Sequence, residues 1–221
     1  MKIIVTTSDN YINHLLPIFV YLFNNNFGSD HAVEVVGYTP PAFSLPPNFS
    51  FHSMGKQGSV HEFSNDLAKF FKTQPCWFIW MMEDTFIKEV DHEKLNTLKE
   101  LTNIPKAGRI NITNAGRFQD HLSIGEIKGV KICENTQDAK YRLSTQPSMW
   151  NRYFLLQYMT KNLSPWAFEC QPSINDNWRI FGPEDHVVSS NEGVTKHDIR
   201  KYNLDGIKSE QIDEMTKLGY L

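Results

Sequence analysis

Trp77-Phe-Ile-Trp-Met-Met82 runs without a break into Glu83-Asp84-Thr85. An apolar run this short, opened by Pro75 and closed by two acids, predicts a buried strand rather than a helix. Lys2-Ile-Ile-Val-Thr6 has the same character and opens into Thr7-Ser8-Asp9-Asn10, which holds N-cap candidates for a helix over about 11–24. Leu15, Leu16, Phe19, Val20 and Phe23 share one face of that helix, and Asn24 to Gly28 ends it. Strands are expected at 32–38 and 49–53, separated by a proline-rich loop. Ser59 starts a second helix, with Val60, Phe63, Leu67, Phe70 and Phe71 on one face. Short helices between buried strands predict an α/β fold with a mainly parallel central sheet flanked by helices. Ligands of such sheets bind beyond the carboxyl ends of the strands. The two polar strand ends, Thr6-Thr7-Ser8-Asp9 and Glu83-Asp84-Thr85, therefore make one candidate site.

Beyond residue 90 the pattern loosens. Helices are expected at 91–101 and 209–218, and strands at 108–113, 141–144 and 185–190. Pro147 stands where a first helical residue belongs, followed by Met149, Trp150, Tyr153, Phe154 and Gln157 at helical spacing. Ser164-Pro165-Trp166 is a second such start, with Ala167, Phe168 and Glu169 placed in its first turn. No repeat, low-complexity tract or clear linker divides the 221 residues, so a single domain over 1–221 is expected.

Composition excludes several classes. Apolar residues at 40% and charged residues at 21% rule out a disordered or collagen-like chain. With 22 basic against 25 acidic residues, nothing in the balance asks for a nucleic-acid partner. Cys76, Cys133 and Cys170 form no CxxC pair and fit reduced thiols. Ile3-Ile4-Val5 is too short for a signal peptide's apolar region, and no stretch approaches the length of a transmembrane segment, so a cytoplasmic protein is expected. The 13% aromatic content fits either a core or a surface that grips flat ligands.

Two carboxylates at the mouth of a buried strand cost desolvation and mutual repulsion unless a cation or hydrogen-bond donors offset them. Mg²⁺ or Mn²⁺ on a diphosphate is one such compensation, and ordinary surface acids at a strand end are the plain alternative. Adjacent side chains of a strand face opposite ways, so Glu83 and Asp84 reach one ion only if the chain turns there; Asp84 is the first choice. Glu169 is open in the same way. The helix dipole favours an acid in a first turn, while apolar surroundings would raise its pKa and suit it to proton abstraction. His186 and His197 each lie beside an aspartate, as surface histidines or late metal ligands. Gly55-Lys56-Gln57-Gly58 has two glycines and a lysine but not the Walker pattern, so a plain loop is the first reading and a phosphate cradle the second. No HxH, HExxH, GxSxG or post-strand GxGxxG occurs, which removes the commonest zinc-enzyme, hydrolase and dinucleotide readings.

Three segments together carry a resemblance. They are Thr6-Thr7-Ser8-Asp9-Asn10-Tyr11 with Leu16-Pro17, Met82-Glu83-Asp84-Thr85-Phe86, and Tyr141-Arg-Leu-Ser144-Thr-Gln146-Pro147-Ser-Met-Trp150 continued to Ser164-Pro165-Trp166-Ala-Phe168-Glu169. They resemble the small bacterial and viral glycosyltransferases of GT-A fold, over about residues 1–200. The resemblance implies a hexosyltransferase-type enzyme with a nucleotide-binding half over 1–90 and an acceptor-side half over 91–221. Thr6, Thr7, Ser8 and Tyr11 would lie near the nucleotide-sugar donor. Asp84, with Glu83 and a later His197, would hold Mn²⁺ or Mg²⁺. Ser144, Gln146, Trp150 and Trp166 would shape the side that takes a glycan or lipid-linked saccharide acceptor, and Glu169 would accept the proton of the acceptor hydroxyl in a transfer that inverts configuration. Where that family carries Asp-x-Asp or Asp-Asp, this chain has Glu83-Asp84-Thr85. The alternatives are a degenerate domain that binds a glycan or protein without catalysis, and a sugar-nucleotidyltransferase. The latter is disfavoured by the lack of a Gly-rich basic loop after the first strand.

Overall fold

The computed structural model describes residues 1–113, 120–171, 177–195 and 198–221, and the side chains of these outside 195–200. Its strands are β1 (Lys2–Thr6), β2 (Val33–Gly37), β3 (Phe49–Ser53), β4 (Trp77–Met82), β5 (Thr85–Val90), β6 (Ala107–Asn111), β7 (His121–Ile127), β8 (Val130–Asn135), β9 (Ser148–Asn151), β10 (Arg179–Pro183), β11 (Val188–Glu192), β12 (Val194–Thr195) and β13 (Asp198–Tyr202). Its α-helices are α1 (Leu15–Leu22), α2 (Phe63–Phe71), α3 (His92–Glu100), α4 (Arg152–Tyr158), α5 (Pro165–Glu169) and α6 (Ser209–Lys217). These form a mixed α/β protein of two compact units interleaved along the chain. One comprises 1–2, 58–80 and 91–187, the other 3–57, 81–90 and 188–221.

The unit containing 3–57 is built on parallel strands. β1 pairs in parallel with β2, and β2 with β3, in the register Val5↔Val35↔Phe51. Ile3, Ile4 and Val5 are buried, as an uninterrupted β-branched run requires. The expected helix begins later than its caps suggested: Asp9 to His14 forms turns, and α1 starts at Leu15 with no side-chain cap. Beyond Leu22 it widens into a π-helical turn, Phe23–Gly28, in which Phe23 and Phe27 stack with centroids 4.7 Å apart. β11 pairs antiparallel with β5, and α6 packs through Met215 and Ile212 on the cluster of Leu15, Ile18, Leu22 and Phe86.

The unit containing 91–187 carries the strand order β4-β9-β6-β10-β8-β7. Only the β6–β10 pair among these is parallel; the other pairs are antiparallel, so the expectation of parallel strands holds for β1–β3 and not here. Ser59 caps its helix as expected, in a capping box with Glu62 that opens a 3₁₀ turn before α2. The strand expected at 141–144 is a turn. Pro147 does not start a helix: β9 follows it, wedged between β4 and β6, and the helix begins at Arg152 with Asn151 as cap. Trp80, Trp150, Phe154 and Phe168 fill the core, with Trp80 and Trp150 centroids 5.5 Å apart. Gly108 admits this packing, since a Cβ there would lie 2.7 Å from the Phe154 ring.

Candidate functional site

In the β1–β3 unit the chain turns at Glu83-Asp84, the condition under which both acids could serve one ion. The Glu83 N–H donates to the Thr6 carbonyl at 3.2 Å, which fixes the turn beside the end of β1. Gly37, at the end of β2, lets the next loop pass close; a Cβ there would meet Thr7 Cγ2 at 2.8 Å. Glu83 is buried, and its Oε1 accepts from Thr7 Oγ1 at 3.3 Å and from the Ser8 N–H at 3.4 Å. Both bonds are long. Among the described residues, Glu83 Oε2 and Ser8 Oγ have no hydrogen-bond partner, although both atoms are buried. Burial, then the charge of Asp84, pushes the Glu83 carboxyl up from 4.5 to about 8. Asp84 is half-buried, and its carbonyl accepts from the Gly193 N–H at 2.5 Å. The Tyr11 phenol is also raised, by burial and then by Glu83 and Asp84, which places it within the field of both acids.

The neighbouring strand ends complete this rim. Asp9 accepts from Thr39 N–H and Oγ1 at 2.9 and 3.1 Å, and its own N–H donates to Gln57 Oε1 at 2.7 Å. The loops after β1, β2 and β3 are thus tied together by Asp9, Thr39 and Gln57. The sequence reading missed Thr39 and Gln57; residues following a parallel strand are the signal that could have found them.

In the other unit the helix expected to start at Ser164-Pro165-Trp166 forms as α5, with Ser164 accepting from the Ala167 N–H at 3.2 Å and Pro165 in the first turn. Glu169 closes this five-residue helix instead of standing in its first turn, so the dipole explanation for it fails. Its Oε1 accepts from the Thr145 N–H at 2.5 Å and from Thr145 Oγ1 at 2.6 Å. Ser144 and Gln146 flank this grip, with the Gln146 N–H donating to Ser144 Oγ at 3.3 Å; the Gln146 side chain is exposed. Trp166 is 81% exposed on the same short helix. Trp150, expected on the sugar side, is a correction: it is fully buried among Trp80, Phe154 and Phe168, so its ring belongs to the core. The reading also missed Thr145, Arg109 and Asn111. Arg109 and Asn111, polar residues within an otherwise apolar strand, were the available signal.

His186 is exposed, and His197 lies outside the described residues. Among the described residues no group of three His, Cys, Asp or Glu side chains is placed to hold a metal ion. Cys76, Cys133 and Cys170 are free thiols, and no described helix is long and apolar enough to cross a membrane.

No protein-family model and no curated protein matches the chain. Among solved structures, the crystal structure of the galactosyltransferase LgtC in complex with donor and acceptor sugar analogues aligns at 10% identity and a TM-score of 0.39. The alignment covers 71% of this chain and 60% of that one, less than two thirds of the neighbour's length. A likeness that loose assigns neither fold nor activity.

Proposed function

We propose that the chain is a glycosyltransferase of GT-A type, moving a sugar from a nucleotide-sugar donor to a hydroxyl of a glycan or lipid-linked saccharide. The observation that carries this reading is the pair of buried atoms without hydrogen-bond partners among the described residues, Glu83 Oε2 and Ser8 Oγ, at the carboxyl end of a parallel strand and next to half-buried Asp84. Buried polar groups are ordinarily satisfied, so such a pair beside a second acid supports the reading that a ligand completes the bonding there.

The donor set fits a hard divalent ion. Mg²⁺ or Mn²⁺ bonds to oxygen, keeps several waters and needs only one or two carboxylates when a substrate phosphate supplies the rest. Asp84 and Glu83 would hold it, and when bound it would neutralise charge on the departing nucleoside diphosphate. Thr7 and Ser8 hold Glu83 in place, and Tyr11 offers a phenol to the nucleotide side. Glu169 accepts the proton of the acceptor hydroxyl as its oxygen attacks the anomeric carbon and the bond to the diphosphate breaks. Trp166 presents an exposed ring on which an acceptor sugar can stack.

The test is transfer or donor hydrolysis across UDP-, GDP- and CMP-sugars with and without Mn²⁺, alongside nucleotide-induced shifts in melting temperature. Metal-dependent turnover that Asp84→Ala abolishes is the expected result. Absence of nucleotide binding across the panel would sink the donor-site assignment. Nucleotide binding without turnover would instead favour a non-catalytic binding domain, a reading favoured by Glu83-Asp84-Thr85 standing where the resembled family carries Asp-x-Asp or Asp-Asp.

A further inference from the structure

Arg109, in the middle of β6, is fully buried. Its Nε donates to Ser148 Oγ at 3.0 Å, its Nη1 to the Arg142 carbonyl at 2.7 Å, and its Nη2 to Asn111 Oδ1. Every one of these acceptors is uncharged. Among the described residues no carboxylate is paired with it; its guanidinium lies instead 5.0 Å from the centre of the Trp150 ring. Burial pushes the guanidinium down to about 9, opposed by the negative charge of Glu169 and assisted by Arg142. A buried cation with no carboxylate bonded to it among the described residues is unfavourable where an apolar side chain of similar volume could pack, so the arrangement calls for a return other than stability.

The acceptors point to that return. The Arg142 carbonyl and Ser148 Oγ stand at the two ends of segment 142–148, and Thr145, which grips Glu169 Oε1 through both its N–H and its hydroxyl, lies between them. Further bonds stiffen both ends. Arg142 donates to the carbonyls of Thr136 and Trp178 at 2.8 and 2.9 Å, and Ser148 Oγ donates to the Gln146 carbonyl at 2.8 Å. A planar guanidinium can hold several acceptors in fixed directions at once, which an ammonium cannot.

We infer that Arg109 is a positioning residue for Glu169: its fork clamps both ends of the 142–148 segment, so that Thr145 holds the Glu169 carboxylate in one orientation. The inference rests on Glu169 being the acceptor-side base, but its geometry can be tested without any turnover. In the full chain, the Thr145 amide proton donates to a carboxylate and should resonate far downfield. Glu169→Gln gives the reference for a weakened bond. Arg109→Lys keeps the charge and loses the fork. It is expected to move the Thr145 signal toward that reference and to lower kcat at least about tenfold, with the nucleotide-sugar KM changed by no more than about twofold. A merely structural role would not produce that split. A folded Arg109→Lys protein with an unmoved Thr145 signal overturns the inference. Should Arg109→Lys not fold, Ser148→Ala releases one end of the clamp and must shift the same signal in the same direction; an unmoved signal there is equally decisive against it. If the Thr145 signal moves as expected while the wild-type chain transfers no sugar, the clamp stands and the assignment of Glu169 as base falls.

Discussion

Glu83 and Glu169 are both held by a hydroxyl and a backbone N–H, yet their environments are opposite. Glu83 is buried and held by two long bonds, at 3.3 and 3.4 Å, with its second oxygen unpartnered among the described residues. Glu169 is half-buried and gripped at 2.5 and 2.6 Å by one residue, Thr145, on a segment braced from within. A carboxyl group left under-bonded in a dry place keeps its proton up to about 8 and is poised to exchange it for a cation, because binding supplies what the fold withholds. A carboxylate held by short charge-assisted bonds is fixed in direction, which is what transfer of a proton along one line requires.

Four substitutions break or sharpen this contrast. The largest effect is expected from Glu169→Gln, which keeps an oxygen for Thr145 but cannot take a proton. Turnover should fall roughly 10²- to 10⁴-fold with nucleotide binding retained, as read by steady-state kinetics and calorimetry. Glu83→Gln should act on pH dependence. The folded protein holds the Glu83 proton up to about 8 whereas the unfolded chain releases it near 4.5. The stability contributed by Glu83 is therefore fully present below the lower value and is lost as pH rises through the higher one. Denaturation midpoints of the wild type should decline across that window, and those of Glu83→Gln should decline less; parallel curves would deny that burial holds the proton on this acid. Gly193→Ala forces a Cβ to within 2.7 Å of the Phe86 ring and 3.0 Å of the Asp84 carbonyl. It should cost about 1–3 kcal/mol in urea unfolding and weaken metal-dependent activity, leaving the Thr145 amide signal in place. Thr145→Val removes only the hydroxyl from the Glu169 grip. A loss of about 1 kcal/mol, seen as a few-fold drop in kcat, is the smallest effect of the set.

Residues whose burial or cap chemistry is local were readable from sequence. The runs at Lys2–Thr6 and Trp77–Met82 became strands because β-branched and aromatic residues in sequence have no polar face to expose. Ser59 and Ser164 became caps because their hydroxyls satisfy a helix's first N–H groups. The reading failed where neighbours decided. Met149 and Trp150 match helical spacing with Tyr153 and Phe154, but pairing on both sides by β4 and β6 makes them strand. The polar residues around Trp150 suggested a ligand surface, whereas Ser148 turns inward to Arg109 and the indole enters the core. β7 was invisible because nearly every residue from His121 to Ile127 is exposed, leaving no alternation to detect. For the candidate site, the acids were legible as types; their bonding was not. That Glu83 rather than Asp84 is the buried member depends on which way the turn rolls, and Thr145 became a partner of Glu169 only through the fold.

The pairing of β5 with β11 has a bearing on how the protein is made. The acidic turn leaves the ribosome early, but the strand that flanks it, and the Gly193 N–H that holds the Asp84 carbonyl, emerge only after α5 and β10 have been synthesised. Throughout that interval β5, whose Phe86 and Ile87 are buried in the finished fold, awaits its partner. Pairing across so long a stretch of chain slows folding and leaves the nascent protein open to wrong association. Translation speed and chaperone access while residues 91–187 are being added would therefore govern how much of the polypeptide reaches a state able to bind its ligand.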